Sequence, residues 1–264
     1  MISIFIRKRL FHPDTVRYIT QLASGRPSYV HQKRIDELVL GLKQDNNWNL
    51  FDRFWILAQP VQPLSRVSLV NPTSVNMTEV NSPTWTANQG YTGNGVDMYL
   101  NTNFNPNTQG VNFTLNSATL GFYSRTDIIE TTYNLSCIVT GIPNNFCGMS
   151  IKRVGNLMFN DINNDSATSI DFTGATTGLF TASRTAAELT TSYRNGISIG
   201  TTAVISSSIP SLNLFAMASN NSGVPSVFST RQMSMAFAGG GGIDSLKLFL
   251  RIERYLDQLS SGVI

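Results

Sequence analysis

The chain has 264 residues, 13% of them charged and 41% hydrophobic, with a formal net charge of +3. Asn, Thr, Ser and Gly fill much of the remainder, which is the profile of a Thr/Asn-rich extracellular or virion β protein more than of a cytosolic enzyme. No apolar run approaches the roughly eighteen residues that span a bilayer, so a transmembrane helix is excluded; Met1 to Ile6 is short, its basic cluster follows where a secretion signal would put it first, and no such signal is expected.

Charge is uneven along the chain: residues 1–66 hold ten Lys/Arg and five Asp/Glu, whereas residues 67–244 hold six and nine. Residues 1–27 therefore read as a basic arm, with Arg7, Lys8 and Arg9 followed by Arg17 and Arg26. Such an arm can touch nucleic acid or an acidic protein surface, but no aromatic interleaving accompanies it, and a solvated terminal face is the simpler reading.

Residues 28–60 read as a helical hairpin. Ser28 is the N-cap, and Ile35, Leu38, Val39 and Leu42 recur at the spacing of one helix face. Leu50, Phe51, Phe54 and Trp55 suggest a second short helix that stops before Pro60. Trp48 and Trp55 are expected in the core of its aromatic face.

From 61 to 238 the pattern becomes short runs of Val, Ile, Thr, Phe and Tyr between Gly, Pro and Asn clusters. Strands are expected at 67–70, 96–100, 118–124, 135–140, 147–154, 169–172, 178–184, 212–217 and 227–237. The clearest hairpin is Tyr193-Arg194-Asn195-Gly196-Ile197, because Asn-Gly supplies the positive φ angles of a two-residue type I′ turn. Cys137 and Cys147 flank the turn Gly141-Ile142-Pro143-Asn144-Asn145 and can face each other across a hairpin, as two reduced, buried thiols. Four glycines, 239–242, then form a joint before a C-terminal helix with Asp244 as N-cap and an apolar stripe of Leu246, Phe249, Leu250, Ile252, Leu256 and Leu259. Many short strands at this spacing imply a mainly β chain, an antiparallel sandwich or jelly roll, with helices at both ends.

No constellation of residues has the pattern of an active site. Paired carboxylates of lectin-fold glycosidases commonly alternate by two along a strand, and Glu79, Glu130 and Glu188 have no acidic neighbour at that spacing. A hydrolase triad needs a histidine, yet His12 and His31 precede the β region, and with two cysteines they cannot make a structural zinc site. Asp161-Ile162-Asn163-Asn164-Asp165 opens like a calcium loop, but Ser166 stands where the glycine belongs and Phe172 where the bidentate Glu belongs; an Asn/Asp-rich turn is the preferred reading. Trp85, Tyr91 and Tyr99 are of the kind that stack on sugars, although ordinary strand-pair packing explains them as well. The expectation is a chain that is not an enzyme, with no cofactor, no metal and no assignable binding residue.

Several strings, taken in order, resemble the concanavalin-A-like (laminin-G-like) jelly-roll structural proteins of tailed-phage virions. They are Ile35-Asp36-Glu37-Leu38-Val39-Leu40-Gly41-Leu42-Lys43 with Trp48 and the stretch from Phe54 to Pro60, then Leu69-Val70-Asn71-Pro72. Gly90-Tyr91-Thr92-Gly93-Asn94-Gly95 with Asp97 and Leu100 follows, then Leu120-Gly121-Phe122-Tyr123-Ser124-Arg125-Thr126. The Asn195-Gly196 hairpin, Phe228-Ser229-Thr230-Arg231-Gln232-Met233-Ser234, the glycine joint and the terminal helix complete the series, over about residues 30–264. The first 27 residues and the plain stretch from Gln62 to Arg66 depart from that pattern. The resemblance implies a virion structural protein, a fibre, spike or decoration component located on the particle. It would contact other virion proteins through the N-terminal arm, form a homo-oligomer with a trimer as first expectation, and meet a host-surface glycan. A carbohydrate-binding module is the alternative, and a lectin-fold glycoside hydrolase the more remote one.

Overall fold

The computed structural model describes residues 10–260, and Arg7, Lys8 and Arg9 of the basic arm lie outside them. Within the stretch read as an arm, Pro13–Ile19 forms a helix, α1, capped by His12. Tyr29–Gln44 forms α2, with the Ser28 hydroxyl accepting from the His31 amide as expected of an N-cap. Ile35, Leu38, Val39 and Leu42 are all buried along its inner face. Asp36 ties the two helices together, accepting from the His12 amide at 2.7 Å and the Thr15 hydroxyl at 2.8 Å.

The second helix expected at Leu50 to Trp55 is absent. A single 3-10 turn, Trp48–Leu50, leads into a strand, β1 (Phe51–Ile56), paired antiparallel with a strand near the other end of the chain, Gln232–Gly239. The reason lies in burial on both faces: Trp55 points into one apolar layer while Phe54 and Ile56 point into another. Such a strand has no polar face, so its periodicity cannot be told from that of a buried helix.

The remaining elements follow in order. A helical turn α3 (Gln62–Ser65) precedes β2 (Thr78–Val80), β3 (Thr84–Thr86), β4 (Gly90–Thr92) and β5 (Tyr99–Asn101), and a second turn α4 (Pro106–Gln109) precedes β6 (Ala118–Ser124). Next come β7 (Leu135–Val139), β8 (Asn145–Arg153), β9 (Leu157–Asn164), β10 (Ser169–Asp171), β11 (Gly178–Ala186), β12 (Leu189–Arg194) and β13 (Ile197–Thr202). The chain closes with β14 (Phe215–Ala216), β15 (Ser219–Asn221), β16 (Val224–Ser226), β17 (Gln232–Gly239) and helix α5 (Ser245–Ser260). Residues expected as a strand at 67–70 make only an isolated bridge, Trp55 to Ser68.

These strands form two sheets packed as a sandwich, as expected. One has eight strands in the order β13-β12-β11-β6-β17-β4-β3, with β1 also on β17. The other has nine, β10-β9-β8-β7-β14-β5-β2, with the β15–β16 hairpin attached to β7. Pairing is antiparallel except between β15 and β7. The Asn195-Gly196 turn joins β12 to β13 with φ of 50° and 78°, the type I′ geometry its sequence demands.

Leu120 and Phe122 of β6, Phe180 of β11 and Ala236 of β17 meet Leu135, Met149 and Ile162 of the opposing sheet in the core between the sheets. A second apolar layer lies outside the eight-stranded sheet, where α1, α2 and α5 cover Phe54, Leu179, Met235 and Phe237. The Phe54 and Phe237 rings stack at 5.6 Å within it. That layer draws no residue from the nine-stranded sheet. Among the described residues, one sheet is therefore capped by helices and the other is open.

A polar knot sits under the cap. The His31 imidazole Nε2 lies 3.0 Å from both Gln59 Oε1 and the Tyr255 hydroxyl; Gln59 in turn donates to the Tyr18 hydroxyl, which donates to the Leu64 carbonyl. Burial lowers the pKa of His31 to about 4, so the folded state holds it neutral where the unfolded chain, near 6.5, binds a proton. Stability is then fully present above pH 6.5 and falls as the pH drops toward about 4, by on the order of 3 kcal/mol. Urea midpoints of wild type and His31→Gln measured from pH 7 to 4.5 should converge as the pH falls, and parallel curves would show that His31 is not the titrating group. A second expectation concerns Gly121 of β6, where an added Cβ would sit 2.2 Å from the Phe237 ring. Gly121→Ala should cost about 1–3 kcal/mol by overpacking, measured as a fall in the urea midpoint.

Candidate ligand-binding face

Residues singled out in the sequence do not converge. Tyr91 is fully buried, its hydroxyl donating to Glu79 at 2.6 Å and lying 3.0 Å from Ser65 Oγ. Burial first, then the Glu79 carboxylate, pushes its pKa up. Trp85 pairs with Tyr91 across β3 and β4, packs against the inter-sheet core and donates its indole N–H to the Leu57 carbonyl. Tyr99 lies apart, in a small cluster with Phe215 and Phe228. The three aromatics make no common platform.

The acidic residues are dispersed in the same way. Glu79 also accepts from Gln62, and Glu188 is exposed beside the β11–β12 turn. Glu130 pairs with Arg231, a fully buried guanidinium that also donates to Ser124, Thr126, Ile128 and Thr176. Asp161 is buried in β9, accepting from the Tyr133 hydroxyl and from the amide and hydroxyl of Thr168. Burial pushes its pKa up. The segment read as an Asn/Asp-rich turn is thus the end of a buried strand, and only Asp165 beyond it is exposed. What made it look like a turn is composition; what makes it a strand is that its polar side chains find partners, as Asn160 does on Ser192 and Asn163 on the Thr114 and Leu115 carbonyls. Among the described residues no group of three His, Cys, Asp or Glu side chains is placed to hold a metal. Cys137 and Cys147 fall opposite one another on β7 and β8, both free and buried, and burial pushes the Cys137 thiol up.

Residues that the sequence reading passed over shape the outer face of the open sheet. A depression of about 260 Å³ is lined by Tyr133, Phe146 and Arg153 together with Thr140, Asn221 and Ser226. The Arg153 guanidinium lies over two rings, 4.6 Å from Tyr133 and 4.1 Å from Phe159, while its Nε donates to Ser150 at 3.1 Å. A second depression of about 350 Å³ holds Phe215 among Asn101, Asn105, Ser211, Asn213 and Asn220. The β15–β16 hairpin contributes to both.

Backbone around that hairpin is held in an unusual conformation. Met217, Ser222 and Val227 have φ of 68°, 52° and 44°. For a β-branched residue such as Val227 this is a genuine outlier, worth on the order of 1–3 kcal/mol of strain. Neighbouring bonds hold it, since the Thr132 hydroxyl donates to the Val227 carbonyl and the Ser229 amide to that of Met217. Strain of this kind gathers at binding surfaces. By contrast, the depression of about 190 Å³ between α2 and α5 is lined by charges already paired, Arg254 with Glu37, and Arg251 with Asp45 beside it. It is a seam between helices.

No protein-family model and no curated protein matches the chain. Solved structures do. A Trypanosoma rangeli sialidase in complex with 2,3-difluoro-KDN is similar at a TM-score of 0.54 and 11% identity, over 86% of this chain and 40% of that one. The Trypanosoma rangeli sialidase in complex with sialic acid is similar at 0.51 and 13%, over 84% and 39%. The binding domain of botulinum neurotoxin serotype D is similar at 0.51 and 11%, over 78% and 53%. The chain spans about two fifths of the sialidases and about half of the toxin structure. At these identities the likeness is one of fold. It corrects the expectation that the chain is not an enzyme: chains that share the sandwich include sialidases, so neither the fold nor the missing sequence pattern sets this protein apart from enzymes. What the comparisons support is the β-sandwich fold.

Proposed function

We propose that this chain is a recognition module of a tailed-phage virion, which presents its open sheet to saccharides on a host surface. One observation carries the reading: helices seal one sheet, while the other keeps two shallow depressions in which aromatic rings stand among hydroxyl and amide groups. Saccharides offer both chemistries, hydroxyls for Ser, Thr and Asn, and C–H faces for aromatic rings. The virion setting rests on the resemblance of the motifs from Ile35 to the glycine joint. The saccharide reading gains from the sialic acid named with one structural neighbour and from the binding domain that is another.

In this reading the basic N-terminal end docks on other virion proteins and several copies act together, a three-fold assembly being the first arrangement to test. Shallow sites bind weakly one at a time, and copies held in one particle convert weak contacts into firm attachment.

The test is retention on an immobilised glycan panel. Ser226→Trp and Asn213→Trp, each filling one depression, should lower binding about ten-fold or more, whereas Lys33→Trp on the exposed side of α2 should leave it unchanged. Retention of no glycan by the wild-type protein, or a loss confined to Lys33→Trp, would overturn the reading.

A further inference from the structure

Cations in the middle of the chain are few, and most are consumed internally. Arg184 gives its donors to the carbonyls of Ile162, Ala186, Ala187 and Val204. Arg231 is spent on Glu130 and on the strand ends around it. Arg125 donates to Ser234 and to the Asn88 carbonyl, Arg194 to the Thr177 carbonyl, and Lys152 to the carbonyls of Thr173 and Gly174. Arg153 differs. Its hydrogen bonds go to hydroxyls, its Nε to that of Ser150 and its side chain to that of Tyr133, and no carboxylate among the described residues forms a salt bridge with it.

Its setting is also built. Two rings contact the guanidinium at 4.1 and 4.6 Å, set edge-on to each other at 68°, and Tyr133, one of them, is itself fixed by its hydrogen bond to Asp161 and packs beside Gly148, where a Cβ would come 3.0 Å from the ring. A contact between ring and cation uses no N–H donor, so the guanidinium keeps donors beyond those given to Ser150 and Tyr133. Arg153 lines the depression that also holds Thr140, Asn221 and Ser226. The carboxyl at the Tyr133 hydroxyl, Asp161, also accepts from the amide and hydroxyl of Thr168 and forms no salt bridge with Arg153.

We infer that the depression around Arg153 is an anion-selecting subsite, specific for saccharides that carry a carboxylate or sulfate group, with the Arg153 guanidinium as the group that binds it. The inference rests on the saccharide reading above and adds the ligand class. A planar fork held against aromatic rings suits a bidentate oxyanion, and the hydroxyl and amide groups around it suit the rest of the sugar.

Matched pairs of probes test it: 3′-sialyllactose against lactose, oligogalacturonate against galactan oligomers, and chondroitin sulfate oligomers against their desulfated form, titrated into the full chain. The charged member of at least one pair should bind tighter than its neutral partner, with affinity falling as salt rises. Arg153→Gln should lose on the order of ten-fold or more for that ligand, the worth of a charged hydrogen bond, and Arg153→Lys should fall between, keeping charge without the fork. Thermal melts of both variants separate lost binding from lost folding. If charged and neutral members bind alike, or a folded Arg153→Gln binds as the wild type does, the anion subsite is wrong while the saccharide reading stands. If no saccharide of either kind binds, both fall.

Discussion

Strand β17 is the element on which the architecture depends. It pairs with β6 along one edge and with β1 and then β4 along the other, so it stands at the middle of the capped sheet. Ala236 and Ala238 face the core between the sheets, and Met235 and Phe237 face the helices. A bulge between Met233 and Met235 lets Met233 join the inter-sheet core as well. Because one strand is apolar on both sides, the two hydrophobic layers share a wall. Helices α1, α2 and α5 can settle only on the outer side of that wall, and the consequence is an asymmetric sandwich: among the described residues, helices cover one sheet and not the other.

Buried charge supplies the second constraint. A chain with so few charged residues uses several as internal clamps. Arg184 gathers carbonyls from β9, from the β11–β12 turn and from the strand-free stretch near Val204. Asp52 accepts from the amides of Val111, Asn112 and Phe113 and so holds that loop against the start of β1. Arg231 fastens the approach to β17 against the segment from Ser124 to Glu130. Each clamp replaces water with a set of carbonyls or amides, which is what a buried charge requires. The stretch from Phe228 to Ser234 thus contains a residue whose work is to close the sheet end.

Legibility in the sequence followed local determinism. Helix α2, strand β6 and the Asn195-Gly196 hairpin were readable because a cap, an apolar run or a turn dipeptide sets each within a few residues. Strand β1 was not, because its partner lies some 180 positions away and burial on both faces erased its period. Buried Asn and Asp in β9 misled for a related reason: composition says turn, and only the partners supplied by Ser192, Tyr133 and Thr168 make a strand tolerable there. The open face was invisible altogether. Tyr133, Phe146, Arg153, Asn221 and Ser226 come from four separate segments, and no spacing connects them before the sheet is assembled.

Trp85 and Tyr91 show the converse. Side by side in the sequence with glycines and threonines, they have the composition of a sugar platform, yet β3 and β4 lie in the capped sheet and direct them toward the core and toward Leu57, Ser65 and Glu79. Residue type decides what a side chain can bind, whereas the sheet that carries it decides whether a ligand reaches it. On the open sheet the hydrogen bonds that hold the strained backbone at Val227 and Met217 set the β15–β16 hairpin beside the depressions, and in the proposed role a surface set in advance loses less conformational entropy when a ligand arrives.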